Sequence, residues 1–188
     1  MKTEHKKPAL ILVTGPPGSG KTTLVNRICE RYSRKGFAVS GIVTEETREG
    51  GVRSGFKIRN LSSGEEGWLA RKDGSNGPKV GKYTVVLEDV KNVGVKALEE
   101  SIEAGANIVL IDEVGTMEMT VPSFRKALSD VLTNANIVVA SVKYGSHFRE
   151  VEEASEQRGK RTVLVNQNNR NAAFDELVGM IDETLTRL

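Results

Sequence analysis

The chain alternates between short apolar runs and longer segments in which apolar residues recur every three or four positions. The run ALILVT at 9–14 is apolar almost throughout, as is typical of a strand covered on both faces of a parallel sheet. In the segment 20–35, by contrast, residues such as Leu24 and Ile28 share one helical face, and Gly36 follows as a stop signal. A buried strand followed by an amphipathic helix is therefore the first predicted unit.

The same alternation predicts the remaining elements. FAVSGIVT at 37–44 predicts a second strand, and the short glycine-broken runs between 45 and about 90 predict antiparallel hairpins. The pattern then predicts a helix at 94–104, a strand at 107–112, a helix near 121–133, a strand at 136–141, a helix within 143–161, a strand at 162–165 and a last helix over 174–185. Alternating strands and helices favour a three-layer α/β fold with a mostly parallel sheet and appended antiparallel strands, and a ligand site at the carboxyl ends of the strands.

Length and composition narrow the class of protein. At 188 residues, the chain suits one domain, predicted over 8–188 behind a flexible tail at 1–7. The 27 basic and 25 acidic residues leave a net charge of +2, which does not indicate a nucleic-acid or membrane partner, although a local basic patch at 143–161 stays open. Cys29 is the only cysteine, so we expect an inert core thiol and no zinc cluster. With no apolar stretch near 20 residues and no signal peptide, we expect a cytoplasmic monomer.

A phosphate-binding loop follows the first predicted strand. GPPGSGKT contains a glycine, four residues, then Gly20, Lys21 and Thr22, which is the Walker A pattern in its strand–loop–helix context. Glycines let consecutive backbone N–H groups point at phosphate oxygens, and the helix N-terminus adds positive charge. Lys21 would reach the β- and γ-phosphates, and the Thr22 hydroxyl would bind Mg²⁺. The predicted nucleotide-binding residues here are Gly15, Pro16, Pro17, Gly18, Ser19, Gly20, Lys21, Thr22 and Thr23.

Two adjacent acids end the apolar run NIVLI. A phosphate loop needs a carboxylate in its magnesium shell, and Asp112 is the acid that follows such a run. Glu113 has three interpretations: a general base for water, a group that positions an acceptor hydroxyl, or a solvated bystander. Adjacent acids at a strand end in P-loop proteins favour the first.

At this point the chain resembles the family of small P-loop nucleoside-triphosphatases that includes thermophile enzymes and the human cancer-related nucleoside triphosphatase. The shared landmarks are TGPPGSGKTT, TEETREGG, GF, VGKY, DEVGTMEM and NRN. The resemblance implies a RecA-like sheet and magnesium-dependent hydrolysis of ATP, GTP, CTP and UTP to diphosphates. It implies that Lys21 and Thr22 bind phosphate and Mg²⁺, that Asp112 binds the metal, and that Glu113 is the catalytic base. One departure is Thr116, where the family commonly has lysine.

Other charged residues have both a functional and a plain structural interpretation. Glu45 and Glu46 follow the second predicted strand and could hold waters of the metal shell, or be solvated turn carboxylates. Arg48, on the same turn, could contact phosphate. Glu118 could pair with a basic residue and so fix the loop after the strand. The segment 143–161 could form a mobile lid, supply an arginine that stabilises transition-state charge, or be ion-paired surface. Its basic residues are Lys143, His147, Arg149, Arg158, Lys160 and Arg161.

Asn169 and Arg170 match the NRN landmark, in the loop after the last predicted strand. Loops at this place often meet the base, so we predict base contact there, with Arg170 stacking on the ring. The alternative is that Asn171 caps the last helix.

Hydrolysis of nucleoside triphosphates is therefore the leading hypothesis. A P-loop kinase that transfers the γ-phosphate to a nucleotide or small metabolite is the alternative, since compact P-loop kinases have this size. A nucleotide-dependent binding module that uses hydrolysis as a timer is a third class.

Overall fold

A nine-stranded sheet organises the computed structural model, which describes residues 9–188; the predicted tail at 1–7 lies outside them. The strands are β1 (Ala9–Thr14), β2 (Val39–Glu49), β3 (Val52–Asn60), β4 (Glu66–Arg71), β5 (Lys79–Val80), β6 (Tyr83–Val85), β7 (Ile108–Val114), β8 (Ile137–Val142) and β9 (Arg161–Leu164). Their order across the sheet is β5-β6-β4-β3-β2-β7-β8-β1-β9. The five strands from β2 to β9 in this order pair in parallel, and β3 to β6 extend the sheet with antiparallel pairs.

Helices cover both faces of the parallel half. They are α1 (Lys21–Arg34), α2 (Leu87–Asp89), a π-helical segment (Val90–Val95), α3 (Lys96–Glu103), α4 (Pro122–Asn134), α5 (Arg149–Arg158) and α6 (Arg170–Leu185). Along β1, Leu10 and Leu12 join a core that includes α3, α4 and α5, whereas Ile11 and Val13 join a second core that includes α1 and α6. Successive strand residues face opposite sides, so a fully apolar strand needs a helical layer on each side. The predicted three-layer α/β fold with appended antiparallel strands is confirmed.

Among the differences from the predicted boundaries, three concern β2, β7 and the helical segment before β7. β2 continues to Glu49 because Glu45 and Glu46 pair with β3 in one long hairpin, so these acids and Arg48 lie within a strand and not on a turn. β7 continues to Val114, which pairs with Val142 after an irregularity in register, so both adjacent acids lie inside the strand. The helical segment predicted at 94–104 begins earlier, at Leu87. Long-range pairing and packing, which local patterns do not encode, cause all three differences.

The fold brings the carboxyl ends of β1, β7 and β8 together. β8 lies between β7 and β1, and β9 closes the other side of β1, where the Val165 N–H donates to the Thr14 carbonyl oxygen at 2.8 Å. The phosphate loop at 15–20 therefore leaves β1 beside the end of β8, one strand away from the acids of β7. Within residues 9–188, none of the helices combines the length and the apolar character needed to cross a bilayer.

The single cysteine lies on α1. The Cys29 side chain is only partly buried, and it packs against the core formed with α1 and α6. Burial raises the pKa of its thiol. A raised pKa disfavours the reactive thiolate, in agreement with the expectation of an inert thiol.

Candidate active site

The phosphate loop turns from β1 into α1 through three glycines with positive φ. Gly20 is the N-cap of α1, and its φ of 109° is a left-handed conformation that favours glycine. A methyl group on Gly20 would lie 2.8 Å from Nε of Arg170, so this glycine also lets the guanidinium approach the loop. The loop therefore presents its N–H groups and the first turn of a 14-residue helix at one place, which is the arrangement that binds anions.

Lys21 is the first residue of α1, and its side chain folds back over its own loop. Its ammonium group donates hydrogen bonds to the carbonyl oxygens of Gly15, at 2.9 Å, and Pro16, at 3.3 Å. These neutral acceptors hold the charge at the loop, where an incoming phosphate would offer it stronger, charged partners.

Asp112 lies at the bottom of the site, with 1% of its surface exposed. The Ser141 hydroxyl of β8 donates to Oδ1 of Asp112, whereas Oδ2 has no hydrogen-bond partner in the part of the chain that is described. Burial raises the pKa of Asp112, and the hydroxyls of Ser141 and Thr22, together with the charge of Lys21, oppose that rise. A buried carboxylate oxygen without a partner needs one, and a cation would supply it.

The donors near Asp112 fit Mg²⁺ better than a metal held by protein side chains alone. Residues 9–188 contain no group of three or more His, Cys, Asp or Glu side chains placed to hold a metal ion. Mg²⁺ in nucleotide enzymes binds through one or two protein oxygens, with phosphate oxygens and waters completing the shell. The Asp112 carboxylate and the Thr22 hydroxyl are such a pair.

Glu113 is half-buried and faces the same cavity as Lys21 and Thr22. Burial and the neighbouring Asp112 raise the pKa of its carboxyl group, whereas the charges of Lys21 and Lys143 lower it. The carboxylate is thus within electrostatic range of two ammonium groups and one acid.

Glu118 differs from its predicted role, because no basic side chain among the described residues forms an ion pair with it. Only 3% of its surface is exposed, and a methyl group on Gly115 would lie 2.7 Å from its Oε2 and 3.3 Å from Oε1 of Glu113. Burial above all, and then the charges of Glu113 and Asp112, raise the pKa of Glu118 to about 8. The flanking Met117 and Met119 were a sequence signal of this burial.

Glu118→Gln is expected to stabilise the protein at neutral and alkaline pH. Because the folded-state pKa of about 8 lies above the ordinary value of 4.5, the folded protein retains a proton that the unfolded chain releases. Glu118 therefore costs stability that grows from pH 4.5 to pH 8 and vanishes below 4.5, and the cost at pH 7 is on the order of 3 kcal/mol. Urea unfolding of both proteins at pH 4.5 and 8 measures the difference. Glu99→Gln, on the exposed surface of α3, is the control, and an equal gain at both pH values would contradict the prediction.

Glu45 and Glu46 of β2 form ion pairs with neighbouring arginines. Glu46 lines the cavity and forms ion pairs with Arg48, at 2.6 Å, and with Arg53. Glu45 pairs with Arg59 at 3.5 Å. Arg48 also donates to the Gly51 carbonyl oxygen at 3.0 Å, so its guanidinium is held on the hairpin and not at the phosphate loop.

The predicted base-binding residues are engaged with the protein backbone. Arg170 donates to the carbonyl oxygens of Ser19, at 2.8 Å, and Gly18, at 3.2 Å, and so braces the phosphate loop. Asn169 donates to the Leu164 carbonyl oxygen at 2.8 Å and is the N-cap residue of α6. Asn171 lies inside that helix, so the alternative prediction that it caps α6 is wrong.

One cavity of about 620 Å³ collects most of the predicted site. Predicted site residues that line it are Pro17, Gly18, Gly20, Lys21, Thr22, Thr23, Asp112, Glu113 and Arg170, whereas Gly15, Pro16, Ser19 and Asn169 do not. The sequence did not place the opposite wall of the cavity, where the antiparallel extension contributes Phe56, Leu69 and Val80, and it offered Lys143 only as one of six basic residues within 143–161. Phe56 and Val80 belong to the landmarks GF and VGKY, but those landmarks do not indicate a place in the site, because only the pairing of strands β2 to β7 across the sheet brings the antiparallel extension to the phosphate loop.

A parallel sheet, a glycine-rich loop entering a helix, and an acid from a nearby strand define a P-loop nucleotide-binding protein. A family model described as NTPase matches residues 10–178, and the chain belongs to this family. It is therefore an enzyme of a nucleoside-triphosphatase family.

Individual relatives are also named as nucleoside-triphosphatases. The chain is 45% identical over 139 residues to the nucleoside-triphosphatase THEP1 of Thermofilum pendens, which covers 74% of each chain. It is 38% identical to THEP1 of Thermococcus kodakarensis, over 93% of this chain and 95% of that one. The solution structure of a human cancer-related nucleoside triphosphatase is similar in fold, with a TM-score of 0.78, 29% identity, and coverage of 93% and 98%.

Proposed function

We propose that the protein is a magnesium-dependent enzyme that hydrolyses nucleoside triphosphates to nucleoside diphosphate and phosphate. The observation that carries the proposal is the meeting of Lys21, Thr22, Asp112 and Glu113 in one cavity. The names of its relatives point to the same reaction.

The phosphate loop and α1 would bind the phosphates. The backbone N–H groups of residues 15–20 and the N-terminus of α1 would surround the β- and γ-phosphates. The Lys21 ammonium group, held by two carbonyl oxygens, would exchange them for phosphate oxygens. Thr22 and Asp112 would hold Mg²⁺, which when bound neutralises charge on the β- and γ-phosphate oxygens.

Glu113 would act on the attacking water. Its carboxylate accepts a proton from the water as the water oxygen bonds to the γ-phosphorus, and the bond from that phosphorus to the β–γ bridging oxygen breaks. The nucleoside diphosphate leaves with that electron pair, and the proton then returns from Glu113 to the phosphate product. Lys21 and the loop hold the triphosphate still while this occurs.

We further propose that ATP, GTP, CTP and UTP are all substrates. A site that binds mainly the phosphates would recognise the triphosphate group, which these four nucleotides share. Arg170 donates its hydrogen bonds to carbonyl oxygens of the phosphate loop. Its planar guanidinium would stack on any of the four bases, because stacking does not depend on the identity of the base. The cytoplasmic location and the monomeric state remain predictions from the sequence.

One experiment tests the proposed reaction. Phosphate release from γ-labelled ATP, GTP, CTP and UTP is measured with Mg²⁺ and with excess chelator, in the presence of a panel of nucleosides, nucleotides and small hydroxyl compounds. We expect release from all four nucleotides, and loss of it with chelator. Label that moved onto an added acceptor faster than it appeared as free phosphate would instead establish the kinase alternative.

A further inference from the structure

The structure separates one basic residue of the 143–161 segment from the others. Most of these basic residues have partners among the acids or carbonyl oxygens of the protein: Arg149 with Glu153 at 2.7 Å, Arg161 with Glu183 at 2.7 Å, His147 with Glu152 at 3.1 Å, and Arg158 with the Ala135 carbonyl oxygen at 2.8 Å. Arg149 and Arg161 belong to the ion-paired surface that was one interpretation of the sequence, and none of the four residues lines the cavity.

Lys143 differs from these residues both in its hydrogen-bond partner and in lining the cavity. It lines the cavity together with Lys21 and Glu113, and its side chain is exposed. Its ammonium group donates to a neutral oxygen, Oγ1 of Thr116, at 3.0 Å, and it forms no ion pair within residues 9–188. A neutral hydroxyl holds an ammonium group more weakly than a carboxylate does, so this charge is free to move to a better acceptor.

The backbone of Lys143 is fixed at the centre of the site. It directly follows β8, the strand between the one that leads into the phosphate loop and the one that carries the two acids. Its N–H donates to the Val114 carbonyl oxygen at 3.2 Å, which ties it to the end of β7. Lys143, Lys21 and Glu113 line the same cavity, so both ammonium groups lie at the site where the γ-phosphate would bind.

We propose that Lys143 is a catalytic residue whose ammonium group leaves Thr116 when nucleotide binds and contacts a γ-phosphate oxygen, as a second cation beside Lys21. This inference rests on the proposed hydrolysis. Negative charge spreads over the γ-phosphoryl oxygens in the transition state, and many P-loop enzymes stabilise it with an arginine supplied in cis or by a partner. Here the cation comes from the chain itself, on a strand end already fixed beside Glu113.

The test compares Lys143→Met with Lys143→Arg. Lys160→Met is the matched control, because Lys160 is an exposed lysine outside the cavity. We expect Lys143→Met to lower kcat for MgATP by about 10- to 100-fold, with KM and the affinity for MgADP within about threefold of the wild type. Lys143→Arg, which keeps the charge, should recover most of the rate, and Lys160→Met should leave it unchanged.

Binding of MgADP with aluminium fluoride, a mimic of the transferring phosphoryl group, provides a second readout. Lys143→Met should weaken the mimic by about the same factor as kcat, which a merely structural residue would not do. Thermal melting of each variant checks the fold. A normal kcat in Lys143→Met, or an equal loss of affinity for MgADP and for the mimic, overturns the inference. Absence of hydrolysis by the wild-type protein would instead refute the proposed function.

Discussion

Glu113→Gln is expected to lower the rate of hydrolysis by about 10²-fold or more, the range that loss of a general base causes. Glutamine keeps the size of the side chain but cannot accept the proton of the attacking water. The phosphate loop, Lys21 and the Thr22–Asp112 pair are untouched, so nucleotide affinity should be retained. The change also removes a half-buried charge beside Asp112, whose presence raises the pKa of Glu113, so the fold should not suffer.

Two measurements on the same preparation separate these effects. Single-turnover hydrolysis of MgATP reports the chemical step, and titration with a non-hydrolysable analogue reports binding. Glu176→Gln makes the same chemical change on the exposed surface of α6, outside the cavity, and should behave as the wild type does. A Glu113→Gln protein with a normal single-turnover rate would show that another group accepts the proton.

Gly15→Ala is expected to disrupt the phosphate loop and to destabilise the protein by at least about 3 kcal/mol, since a side chain has no room there. A methyl group on Gly15 would lie 2.1 Å from the Val165 carbonyl oxygen and 2.9 Å from Oγ of Ser19. The loop would have to move away from the end of β9, where the Val165 N–H holds the Thr14 carbonyl oxygen at 2.8 Å. Nucleotide affinity should fall with it, because the N–H groups that bind phosphate lie on the displaced segment.

Gly18→Ala is the matched control within the same loop. A methyl group on Gly18 would meet no atom within 4 Å, although its φ of 72° is left-handed. It should cost about 1 kcal/mol, from backbone strain alone. Urea unfolding and titration with MgADP measure both variants, and equal costs for the two would mean that contact with Val165 does not matter.

Local patterns were sufficient for most of the fold. The continuous apolar strands must be buried on both faces, and α1 has a single apolar face to bury. These two patterns predict a sheet with a helical layer on each side. They failed at the ends of β2 and β7, where polar residues continue a strand because a neighbouring strand pairs with them. Glu45, for example, has no apolar pattern of its own but lies opposite Lys57 of β3.

The candidate site divides in the same way. Glycines, a lysine and a threonine at Walker A spacing indicate phosphate binding from the local sequence alone. Two acids after a buried run indicate a metal ligand and a base in the same way. Glu118 was misread, because its burial depends on how the segment after β7 folds over Gly115. The sequence predicted Arg170 at the base, which stays a prediction, but it did not indicate that the guanidinium also binds loop carbonyl oxygens more than 150 residues away in sequence.

The sequence by itself determined the class of fold, the phosphate loop and the two acids, because spacing along one strand or one helix carries that information. Only the tertiary structure decided which other side chains line the cavity beside the phosphate loop. The strand order places β8 between the loop and the acids, and so brings Lys143 to Thr116 and into the cavity that Glu113 lines, whereas Arg149, Arg158 and Arg161 of its segment find partners elsewhere. Such a meeting depends on contacts between residues far apart in the chain, and no local pattern of polar and apolar positions records it.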